Sequence, residues 1–146
     1  MNIHSRFLFE TRFYDRREKG IVSAQELSQL MEEAQQEAFC GALSSYHPHF
    51  WAAKLHFYIT DIPFYNFPYT FGYMFSTGLY VRAQQEGASF ADKYDLLLQD
   101  TGVMTVEELA LKHLGVDLKG PEFWQSAIDL CLNDVNEFME MTNHLV

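Results

Sequence analysis

Residues 62–81 read IPFYNFPYTFGYMFSTGLYV, and how this run folds decides how the rest of the chain is organised. Between Asp61 and Arg82 no side chain ionises except tyrosine, at Tyr65, Tyr69, Tyr73 and Tyr80. Such a composition points to a buried segment. Four buried phenols would each need a hydrogen-bond partner, which implies an internal polar network, a ligand or both. Pro63 and Pro68 push Ile62 and Phe67 towards extended backbone, so 62–67 is expected as a loop. Pro68 suits a helix's first turn, where a missing N–H costs nothing, and Gly87 can end that helix after about Glu86. Tyr69 and Tyr73, at i and i+4, then share one face. Tyr65 lies just before the helix and can reach its N-terminus, where backbone N–H groups favour developing negative charge.

Outward from this run the pattern is helical throughout. Residues 3–19 carry Ile3, Phe7, Phe13 and Tyr14 near helical spacing, with Arg16, Arg17 and Lys19 in a last turn that Gly20 ends. Ser23 and Glu26 form a capping box that opens a helix from Ala24 to about Ala42, with Leu27, Leu30, Met31, Ala34 and Ala38 on its apolar side. The short connection makes these two helices antiparallel neighbours. Ser89 with Asp92 and Thr105 with Glu108 have the form of two further boxes, and Gly115 is placed to end the helix that Thr105 opens. A last helix from about Pro121 carries Phe123, Trp124, Ile128, Leu132, Val135, Phe138 and Met139, a stripe wide enough for a main packing element. No strand alternation or internal repeat is evident. The expectation is an all-α bundle of about five to six helices, forming a single domain over residues 1–146.

Composition removes several function classes. A net charge of −10 disfavours nucleic acid and anionic membrane surfaces as partners, and no phosphate-cradling glycine loop is present. The uncharged run has the length of a membrane span, but its prolines, Asn66, tyrosines and glycines argue against one. MNIHSRFLF places an arginine where a secretory signal needs an apolar core, so a cytoplasmic protein is expected, with Cys40 and Cys131 reduced and buried. His47 and His49 form an H-x-H pair that could join His56 as metal ligands; packing and hydrogen bonding beside Trp51 is the plainer role.

HFYITDIPFYNFPYTFGY, followed later by VEELALKHLGVDL, resembles the C-terminal portion of the oligoendopeptidase F family, zinc metallopeptidases related to thimet oligopeptidase. The resemblance runs from RFLFETRFYDRREKG to GPEFWQSAIDLCLNDVNEF. It implies that the chain is the C-terminal part of a larger helical peptidase domain, in which a histidine and tyrosines line the cleft and stabilise the oxyanion. Through FY-x-x-x-Y-x-x-G that role falls on Tyr65 and Tyr69, with His56 as the histidine, Tyr73 further along the substrate face and Gly72 keeping the helix approach close.

The chain departs from the family at its zinc site. None of His4, His47, His49, His56, His113 and His144 is followed by glutamate, so HExxH is absent. Without it there are neither two ligands one turn apart nor a general base. Zinc is accordingly expected in the full-length parent enzyme and not in this chain alone. Oligopeptide is the implied substrate, bound together with an upstream catalytic half whose docking surface, if left open, would let the isolated chain self-associate. The alternative is a stand-alone helical binding module whose tyrosine-rich groove takes a peptide or an apolar ligand.

Overall fold

The computed structural model describes residues 1–145. It is all-helical, with six α-helices: α1 Asn2–Arg17, α2 Ala24–Ala38, α3 Phe67–Glu86, α4 Phe90–Gln99, α5 Val106–Leu114 and α6 Glu122–Thr142. Four short 3-10 turns complete the set, and no strand occurs among the described residues. The helices group into two compact units, Met1–Phe71 and Gly72 onward. No helix among the described residues is long and apolar enough to cross a membrane.

The first unit is built on the α1–α2 hairpin. Phe9, Met31 and Ala34 form its buried centre, with Leu8, Leu27, Leu30, Phe50, Trp51 and Phe57 packed around it. Arg16 pairs with Glu26 at 2.7 Å near the connection and Arg12 pairs with Glu37 further along, the order that antiparallel helices require. The Ser23–Glu26 box is present in full: Glu26 N–H donates to Ser23 Oγ at 3.2 Å and Ser23 N–H to Glu26 Oε2 at 2.9 Å. α2 stops at Ala38, short of the expected Ala42, because Cys40 at φ 52° and Gly41 at φ 69° both turn left-handed and break the ladder. Cys40 is exposed and Cys131 half-buried, both free, rather than buried as expected.

The second unit packs Leu79, Phe90, Leu97 and Leu109 together, and Ala110, Leu118 and Phe123 beside them. Gly78 is required here: a Cβ at that position would lie 2.4 Å from the Phe123 ring. The Thr105–Glu108 box forms and Gly115 ends α5 at φ 66°. Asp100 accepts from Lys112 at 2.6 Å and lies 2.7 Å from His113 Nε2, tying the end of α4 to α5 and holding the Asp100 carboxyl below its ordinary range.

Two expectations fail in this unit. Ser89 does not cap α4: its backbone is already helical (φ −67°, ψ −15°), and its hydroxyl donates to Glu86 O instead. The α6 stripe buries only its start, at Phe123 and Ala127, while Ile128, Leu132, Val135, Phe138 and Met139 are exposed.

Candidate functional site

The expected site residues of the first unit converge. His56 sits in the 3-10 turn Leu55–Tyr58, Tyr65 in the loop before α3, and Tyr69 in α3's first turns. His56 and Tyr65 rings lie 5.3 Å apart, His56 and Tyr69 6.0 Å, and Tyr65 and Tyr69 6.2 Å, the last two edge to face. Three aromatic groups from separate local structures thus form one patch. Edge-to-face packing of this kind favours a fixed relative geometry.

The burial expected for residues 62–81 is not what the chain does. Tyr65 is 37% exposed, Tyr69 52%, Tyr73 60% and Tyr80 56%; Asn66, Gly78 and Leu79 are the buried positions of the run. The reason is periodicity: apolar side chains fall on every side of α3, so no single face is marked for the core. The phenols therefore do not need internal partners. Tyr73 lies in the second unit, its hydroxyl 3.5 Å from Cys131 Sγ, a contact that raises its pKa.

Beneath the ring patch lies a polar layer that inspection of the run alone does not reveal. Arg6 and Glu10, one turn apart on α1, reach the loop on either side of Tyr65. Glu10 Oε1 accepts from Phe64 N–H at 2.7 Å, and Arg6 Nη1 donates to Asn66 Oδ1 at 3.0 Å. Glu10 is 4% exposed and Asn66 fully buried. Burial pushes the Glu10 carboxyl above its usual range, an effect offset in part by the Phe64 N–H, the Asn66 amide and the nearby His56. Burial likewise lowers Arg6, opposed by the Tyr69 phenol within its electrostatic reach, and the guanidinium stands 5.3 Å over the Phe50 ring.

Phe64 takes a left-handed backbone at φ 57°. For a residue with a Cβ that conformation costs about 1–2 kcal/mol, so neighbours must hold it. They do: Phe7 and Tyr14 flank its ring at 5.7 and 5.4 Å, and Glu10 takes its N–H.

Arg6 Nε, Glu10 Oε2, His56 Nδ1 and Asn66 Nδ2 are buried without a hydrogen-bond partner among the described residues. The Asn66 amide lowers the Glu10 carboxyl's pKa but stops short of hydrogen-bonding geometry with Oε2. Leaving such groups unpaired costs about 1–3 kcal/mol each.

No group of three or more His, Cys, Asp or Glu side chains gathers at metal-binding range among the described residues. The His47–His49 pair is engaged locally, with His49 N–H donating to His47 Nδ1 at 3.1 Å, and His47 N–H and O bonded to the Gln35 amide. Trp51 beside it donates to Ser28 Oγ at 3.4 Å. No protein-family model, no curated protein and no solved structure matches this chain.

Proposed function

We propose that the His56–Tyr65–Tyr69 patch is the part of a peptidase cleft that binds a peptide backbone and stabilises the oxyanion formed when its carbonyl is attacked. The observation that supports this most is the meeting of His56, Tyr65 and Tyr69 within 5.3–6.2 Å, with both phenols open to solvent. The residue pattern that resembles oligoendopeptidase F adds the reaction class, and with it the reading of the chain as the C-terminal part of a metallo-oligopeptidase.

In this reading a phenolic O–H donates to the carbonyl oxygen, and the bond strengthens as that oxygen gains negative charge. Donors placed where charge develops lower the barrier more than they aid binding. Arg6, close to Tyr69, adds positive potential behind the phenol. His56 presents an imidazole edge for the substrate backbone or for sharing the charge. In this reading the attacking group, its activation and any zinc would come from residues outside this chain, as the missing HExxH implies.

The absence of HExxH favours a second reading, in which the same patch serves a stand-alone module that holds a peptide or apolar ligand without cleaving it. Both readings predict that this chain alone neither retains stoichiometric zinc nor hydrolyses peptides. Metal analysis after chelator treatment and zinc addition, alongside a fluorogenic oligopeptide assay, checks this. One retained zinc per chain, or turnover above the buffer rate, would contradict it. Sequencing the reading frame upstream separates the two readings: an HExxH segment joined to this one supports the peptidase, and its absence supports the module.

A further inference from the structure

The residues on either side of Tyr65 are both gripped by α1. Phe64 N–H is held by Glu10 and the Asn66 side chain by Arg6, and the two holders lie one helical turn apart on the same face. Phe64 is also where the chain turns left-handed, directly after Pro63. Its backbone conformation therefore fixes the direction in which Tyr65 leaves the loop, and so whether the Tyr65 ring reaches His56 and Tyr69.

We propose that Glu10 and Arg6 are positioning residues, a two-point clamp from α1 that sets Tyr65 in register with His56 and Tyr69. The inference rests on the reading of those three residues as the working face. Glu10 is the stronger arm, since it holds the strained peptide through the carboxyl oxygen Oε1 while Oε2 stays unpaired in the polar layer. A buried acid is unfavourable unless its carboxyl is engaged, and here the engagement is with the left-handed Phe64 peptide.

The test uses isotope-labelled 146-residue chain and reads its own amides and rings. In the wild type, the Phe64 amide shift should follow the Glu10 carboxyl through a single shared midpoint above the ordinary carboxylate range. His56, from the 55–58 turn, and Tyr14, on α1, are the other titrating groups that act on or are acted on by Glu10, and their titrations are followed in the same spectra.

In Glu10→Leu, hydrogen exchange at Phe64 should accelerate by at least about tenfold, and cross-peaks among the His56, Tyr65 and Tyr69 rings should vanish. Glu10→Gln, whose amide oxygen still accepts from Phe64 N–H, should restore both. Ring contacts and Phe64 protection kept within about twofold in Glu10→Leu would overturn the clamp, as would a Glu10→Gln variant that behaves like Glu10→Leu. Should Glu10→Leu fail to fold, the wild-type titration decides, because a Phe64 amide indifferent to Glu10 overturns the proposal by itself. None of these readings depends on catalysis. A clamp confirmed in a chain whose upstream reading frame carries no HExxH segment would refute the peptidase reading alone.

Discussion

In a complete peptidase containing this sequence, Tyr69→Phe is expected to lower kcat by roughly 10- to 1,000-fold, or about 1.4 to 4 kcal/mol, with little change in KM. The substitution removes one oxygen and leaves the ring, so the edge-to-face contacts with His56 and Tyr65 persist. What disappears is a donor used fully only when the carbonyl oxygen becomes an oxyanion, and such a loss appears in turnover rather than in ground-state binding. Tyr65→Phe should act in the same direction. Tyr80→Phe, on α3 in the second unit and not one of the patch's three residues, is the control and should do almost nothing. Steady-state kinetics on an oligopeptide substrate measures all three. If Tyr69→Phe and Tyr65→Phe both stay within about twofold of the parent kcat, the hydroxyls are not transition-state donors.

The second large effect is on stability. Met31→Ala should destabilise the first unit by about 2–5 kcal/mol, because Met31 is fully buried at the centre of the α1–α2 core and its loss leaves a cavity lined by Phe9 and Ala34. For a unit of this size that is a large share of its whole stability. The damage should reach the candidate site, since Phe9 stacks edge to face on Phe57 at 5.0 Å and Phe57 adjoins His56. Ile21→Ala, at an 86% exposed position, should change little. Hydrogen exchange at the α1 and α2 amides distinguishes them. A Met31→Ala chain whose slowest α1 and α2 amides exchange at the wild-type rate would show that this core does not hold the unit.

Local signals made the helices legible, and contacts between distant residues account for what was not. The Ser23–Glu26 and Thr105–Glu108 boxes, Pro68 at the start of α3 and Gly115 at the end of α5 each announce a boundary through chemistry within four residues. The α2 terminus falls short of Ala42 because Cys40 and Gly41 both turn left-handed: Gly41 is a legible stop, while Cys40, a residue that seldom takes this conformation, gives no sign of it. Burial of the 62–81 run was overestimated since hydropathy counts apolar residues without saying which of them meet a neighbour; α3 is apolar on all sides and leaves four tyrosines exposed. The same limit applies to α6, whose apolar spacing is regular past Ala127 while the side chains stay open.

Tyr65 and Tyr69 could be singled out because they share one FY-x-x-x-Y-x-x-G pattern, with His56 in the segment before it, and the three rings do meet. Arg6, Glu10 and Asn66 could not, because their partners stand 54 and 60 residues away. The one available signal was Arg6 and Glu10 at i and i+4 among Phe7, Leu8 and Phe9, two opposite charges set in an apolar turn.

Whether the three rings receive a peptide can be measured on this chain as it stands. An unstructured oligopeptide is titrated into the labelled protein while the His56, Tyr65 and Tyr69 ring signals are followed. Those three sets of signals should move together and saturate, and a Tyr65→Phe/Tyr69→Phe double variant should bind within about twofold of the wild type, since transition-state donors add little to ground-state affinity. Peptide that shifts only residues from Gly72 onward, or that leaves all three rings unmoved while it binds, would contradict the assignment.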